Sequence, residues 1–104
     1  MEAKGPVLKI VFAKRGNMKY MSHLDIVRLF QRAARRADIP VVLSKGFSPR
    51  PKIRFKRALK LGIESEAEEA IFELDSSMSS DDFKGRLERQ LPEGIEIRFV
   101  SLLL

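Results

Sequence analysis

Hydrophobic and polar positions change period several times along this chain, and each change marks an element boundary. Leu8, Ile10 and Phe12 alternate with Lys9 and Val11, which predicts a half-buried strand over 8–15, ended by Gly16-Asn17. Ser22 then opens a helix as Ser-x-x-Asp. The serine hydroxyl can cap a first-turn amide, and Asp25 can return a bond to the cap while sitting at the positive helix end. Ile26, Leu29, Phe30, Ala33 and Ala37 form an apolar stripe at helical spacing, so the helix is expected over 22–38, stopping before Pro40.

Beyond Pro40 the pattern returns to short period. Val41–Ser44 reads as a brief extended segment. Over 52–59, Ile53 and Phe55 point one way and Lys52, Arg54 and Lys56 the other. A turn centred on Gly62 leads to 68–75, with Ala70, Phe72 and Leu74 inward. Ser79-x-x-Asp82 is a second capping pattern, and Phe83, Leu87 and Leu91 predict a helix over 80–91. Pro92-Glu93-Gly94 closes it before a last alternating strand over 95–102. The final residues 100–104 are unusually apolar, expected either to carry that strand into the core or to mark a cut in a longer chain.

Strand, helix, strand, strand, helix, strand is the order of a ferredoxin-like βαββαβ fold. It predicts an α+β domain over 1–104, with a four-stranded antiparallel sheet covered on one face by both helices. The length of 104 residues suits one modest core and not two.

Charge adds an asymmetry that the periodicity does not require. Residues 1–60 hold 16 Lys and Arg against 3 acidic residues, whereas residues 61–104 hold 4 against 11. A positive lobe beside a negative one makes a field that selects partners. The chain has no cysteine and one histidine, which excludes disulfides, thiolate zinc sites, cysteine nucleophiles, cysteine-ligated clusters and multi-histidine metal centres. No apolar run approaches the roughly 20 residues that span a bilayer, and residues 1–10 lack a signal-peptide pattern, so the expected compartment is the cytoplasm.

Four groups of residues are candidates for chemistry. Arg28, Arg32, Arg35 and Arg36 fall on one stripe opposite the apolar face of the first helix. They read either as a solvated face whose last cations answer the helix dipole, or as a ridge gripping phosphates through bidentate guanidinium bonds. The loop Ser44-Lys45-Gly46-Phe47-Ser48-Pro49-Arg50-Pro51 is either a stiff connector or a recognition surface. Gly46 permits positive φ, the prolines fix the path, Phe47 can stack, and Ser44, Ser48 and Arg50 offer donors. Lys52, Arg54 and Lys56 either pair with Glu69 and Glu73 across a hairpin or add to the phosphate surface.

His23, the lone imidazole, reads as a packing or hydrogen-bonding residue. With Tyr20 and the neighbouring lysines it also allows acid–base work of the metal-independent endoribonuclease kind, a fold-level analogy. Glu64, Glu66, Glu68, Glu69, Glu73 and Asp75 read as solvated charge with no calcium-loop pattern, and no metal site is expected.

The stretches Ser22-His23-Leu24-Asp25, Arg35-Arg36, the 44–51 loop and the 61–68 run that begins Leu61-Gly62 and includes Ser65 and Glu68 follow one another in a recognisable order. The chain resembles the bacterial radical SAM-linked domain-of-unknown-function family over roughly residues 8–100. In one respect it departs from that pattern: Arg50 stands between the loop prolines where family members commonly have histidine. Members are often longer, so the resemblance implies a short member or the N-terminal part of a longer one. It further implies a partner radical SAM protein that carries the iron–sulfur cluster, S-adenosylmethionine and, in many cases, cobalamin, with no cofactor on this chain.

Together these readings predict an accessory module rather than an enzyme. It would bind RNA or another phosphate-rich substrate through Ser22, His23, Arg28, Arg32, Arg35, Arg36, Ser44, Lys45, Gly46, Phe47, Ser48, Arg50, Lys52 and Arg54 for a radical SAM partner, in RNA modification. The alternatives are a docking module for an acidic protein partner and, last, the endoribonuclease with Tyr20 and His23.

Overall fold

The computed structural model describes residues 5–104. Four strands, β1 (Val7–Lys14), β2 (Ile53–Phe55), β3 (Ser65–Glu73) and β4 (Ile95–Leu102), form one antiparallel sheet in the order β2-β3-β1-β4. Helix α1 (His23–Arg36) follows β1 and helix α2 (Ser80–Glu88) follows β3. This is the expected α+β arrangement, consistent with a ferredoxin-like fold. A single 3-10 turn over Gly16–Tyr20, not anticipated from the pattern, links β1 to α1.

Both helices bury their apolar stripes against one sheet face. Phe72 on β3 lies 6.3 Å from Phe30 of α1 and 5.1 Å from Phe83 of α2, ring centre to ring centre. Phe12 on β1 meets Phe30 at 4.9 Å. Leu8, Ile10, Ile26, Ala33, Ala70, Leu74, Leu87 and Ile97 complete this core. Tilted and edge-to-face aromatic contacts of this kind add to area burial, so truncating Phe30 or Phe72 to alanine costs about 3–5 kcal/mol.

Both caps form as Ser22 and Ser79 accept from the amides of Asp25 and Asp82, each at 3.1 Å. The Asp82 carboxylate, rather than returning to its cap, takes the Arg86 guanidinium one turn later.

Element ends depart from the pattern where tertiary contacts compete. β2 stops at Phe55 because the chain then leaves the sheet edge: Arg57 reaches back to Glu68, and Leu59 turns in to be buried. Val41 and Leu43 do not form a strand but make single bridges to Leu74 and Pro51. α2 ends at Glu88, three residues early, where the following amides of Gln90 and Leu91 close tight turns onto the Leu87 and Glu88 carbonyls.

In β1 the alternation breaks at a bulge, so Phe12, Ala13 and Lys14 are buried in succession. Of the two readings of the apolar 100–104 segment, entry into the core is not what the structure shows: Leu102, Leu103 and Leu104 are exposed, and Leu104 and Val7 exchange backbone hydrogen bonds. No helix among the described residues is long and apolar enough to cross a membrane.

Candidate functional site

The site begins with the hydrogen bonds that hold the 44–51 loop. Ser44 and Arg50 close it from both sides, the Ser44 amide donating to the Arg50 carbonyl at 2.8 Å and the Arg50 amide to Ser44 Oγ at 3.0 Å. Below this closure, Lys52 donates to the Val42 carbonyl and Val42 to that of Glu73, which roots the hairpin in β3. Helix α1 grips it from the side. Gln31 Nε2 donates to the Pro51 carbonyl at 3.3 Å, and Arg35, one turn later, donates to the Pro49 carbonyl at 2.8 Å.

Gly46 has φ +119°, a conformation side chains resist, with open space where a Cβ would point. Phe47 beside it is fully exposed at the loop tip. An aromatic ring held in water on a closed, proline-stiffened loop contributes nothing to the core, and it costs little entropy to order on a ligand.

The distribution of ion pairs decides which cations remain free. Acidic residues of β3 are taken up locally. Arg54 pairs with Glu73 at 2.8 Å, Lys56 and Lys9 with Glu69 at 3.3 and 3.6 Å, and Arg57 with Glu68 at 3.0 Å. Arg15 and Arg98 share Glu66, and Arg15 also takes Glu96. The hydrogen bond from Arg15 holds the Glu66 carboxyl below its ordinary range, and Lys56 does the same for Glu69.

Arg54 therefore belongs to a pairing ladder with the carboxylates of β3. By contrast, Arg28, Arg32, Arg35, Arg36, Lys45, Arg50 and Lys52 are all exposed, and among the described residues none pairs with a carboxylate.

His23 has a structural assignment at the opposite end of α1. Its Nδ1 accepts the Leu59 amide at 3.1 Å, and its ring stands edge-on to Phe55 at 5.4 Å. Next to it, Lys14 is 1% exposed and donates through Nζ to the Lys60 carbonyl at 2.6 Å. These bonds strap residues 57–62 over the end of the core, and the Gly62 amide completes the strap on the Lys19 carbonyl at 2.6 Å. Tyr20, Leu24, Leu61 and Ile63 are exposed around it. Ser22 is spent on its cap.

Two residues were missed by sequence reasoning. Gln31 lies one turn before Arg35, a spacing that marks a shared helix flank, but its carbonyl partner is invisible in one dimension. Arg89 lies just past α2 and meets Arg32 and Arg36 only in the folded chain, where all three line a cleft of about 380 Å³. A larger depression of about 850 Å³ is bordered by Arg15 with Glu88, Glu93 and Glu96, a lining too acidic to attract phosphate. Among the described residues no three His, Asp or Glu side chains converge as metal ligands.

Residues 8–103 match the family described as an uncharacterized protein conserved in bacteria (DUF2344), and the chain belongs to that family. No curated protein matches the chain.

Proposed function

We propose that this domain is a phosphate-binding accessory module that holds RNA for a partner enzyme of the radical SAM class. The observation that carries the reading is the segregation of charge. Lys9, Arg54 and Arg98 of the sheet pair with its own carboxylates, while the seven cations on α1 and the adjoining loop are exposed and, among the described residues, pair with none. Guanidiniums in a row track a phosphodiester backbone, and Phe47 at the end of the row offers a stacking plane that any base can use.

The family resemblance implies that the iron–sulfur cluster, S-adenosylmethionine and, in many cases, cobalamin sit on the partner, which suits a chain without cysteine, and the module would work in the cytoplasm where RNA is modified. The test is binding of a single-stranded RNA across a salt series. Contact with four to six phosphates predicts a log–log slope of about −3 to −4. Affinity that does not change with salt would overturn the reading.

One observation favours a second role in the same molecule. Tyr20, Leu24, Leu61 and Ile63 expose apolar surface around the 57–62 strap, with Lys19 and Lys60 beside them. That end suits an acidic, partly apolar protein surface, and here the partner enzyme would dock. Co-purification of partner and domain, lost on Leu24→Asp with Leu61→Asp, tests it.

A further inference from the structure

The cleft that brings Arg89 to α1 is a more specific feature than the ridge beside it. Its rim holds Arg32, Arg36 and Arg89, and its apolar wall is Leu29, Leu91 and Pro92. Arg89 alone has an ordinary explanation, since a cation just beyond α2 answers the helix dipole. That does not explain three guanidiniums on one cleft with no carboxylate paired to any of them among the described residues. Like charges gathered on a concave, partly apolar wall repel one another, and a bound anion relieves that repulsion.

The ligand must match both halves of the lining. The arginines ask for a dianion with several acceptor oxygens, for which forked guanidinium donors are well suited. The half-buried Leu29, Leu91 and Pro92 ask for a flat apolar body attached to it. Gln90, also on the cleft and exposed, carries a donor and an acceptor able to pair with a base edge. A volume of about 380 Å³ is enough to seat one nucleotide unit. We infer that the cleft between α1 and the segment following α2 seats a single nucleoside monophosphate unit, with the phosphate on Arg32, Arg36 and Arg89 and the base against Leu29, Leu91 and Pro92.

This deepens the phosphate-binding reading, with which it shares Arg32 and Arg36. It is tested with AMP, adenosine and inorganic phosphate, each titrated into the whole chain while amide resonances are followed. AMP is expected to saturate shifts at Arg89, Gln90 and Leu91, and to bind at least fivefold tighter than either adenosine or phosphate. Arg89→Ala should weaken AMP at least fivefold and Arg89→Lys by less, at unchanged melting temperature. AMP no tighter than phosphate, shifts that do not saturate, or indifference to both Arg89 variants would overturn the inference.

Displacement of AMP by a 5′-phosphorylated RNA hexamer, and not by its 5′-hydroxyl form, assigns the unit to an RNA end. Displacement by neither assigns it to a free nucleotide. Because Arg89 is not part of the ridge, AMP binding without salt-dependent RNA binding would sink the RNA reading and keep the cleft, and the converse would do the reverse.

Discussion

The backbone amide of Leu59 donates to Nδ1 of His23 across 3.1 Å, joining the first residue of α1 to a segment 36 positions later. The bond requires an imidazole with a free lone pair on Nδ1 and its hydrogen on Nε2. It gives the only histidine a structural role, because the 57–62 strap hangs on it together with Lys14 and the Lys19 carbonyl.

His23→Ala should therefore destabilise the domain by about 1–2 kcal/mol, as a part-buried amide loses its acceptor. His23→Asn, whose carbonyl can take the Nδ1 position, should recover part of that loss. Denaturant titration of the three proteins measures it. Incubated RNA should stay intact with all three, and cleavage by the native chain that His23→Ala abolishes would instead establish the endoribonuclease.

Charge-matched variants separate a local ridge from the general field of a basic protein. Arg32→Gln with Arg35→Gln removes two cations from α1, and Lys84→Gln with Arg86→Gln removes two from α2, where they pair with Glu88 and Asp82. The α1 pair should reduce the salt slope by about 1.4, at about 0.7 for each phosphate no longer neutralised. The α2 pair should leave it nearly unchanged. Equal effects would mean that net charge alone matters.

Phe47 is fully exposed, so Phe47→Ala should move stability by no more than about 0.5 kcal/mol. RNA affinity should fall by about 1–3 kcal/mol if the ring stacks on a base. Gly46→Ala is a companion test with a different cause: φ +119° penalises the added Cβ although nothing occupies its space, so strain alone should cost about 1 kcal/mol. Unfolding curves and filter binding distinguish the two. Lost stability in Phe47→Ala with intact binding would return the loop to a connector.

Acid should unfold this domain through its carboxylates. Burial pushes the Glu68 carboxyl up, but hydrogen bonds from Arg57 and Ser65 and the charges of Arg57 and Lys14 outweigh that, and the net direction is down from 4.5. A depressed acid contributes stability that is present above its unfolded value and lost as pH falls through its folded one. The melting temperature should thus hold from pH 7 to about 5 and fall below about pH 4.3. Glu68→Gln should melt lower at pH 7 and show a shallower acid limb. An unaltered limb would shift the dependence to Glu66 and Glu69.

Local pattern was sufficient for the architecture. Two serine caps, two apolar stripes and the alternation around Ile10, Ile53, Phe72 and Ile97 are written in short windows, where periodicities of 3.6 and 2 decide which side chains share a face. The same windows placed the arginine stripe on α1 and the exposed ring at Phe47. They did not reveal that β2 ends at Phe55, because Leu59 leaves the edge for a bond to His23, or that Lys14 is buried behind a bulge.

Above all, sequence could not separate spent charge from free charge. Alternation offered Glu73 as a partner for Arg54 without deciding between pairing and a phosphate role, and only the fold joins Arg54 to Glu73 and sets Arg32 on the cleft with Arg89. Periodicity is a property of neighbours along the chain. Pairing and convergence depend on distances across it, which exist only once the sheet has brought β2, β3 and the two helices together.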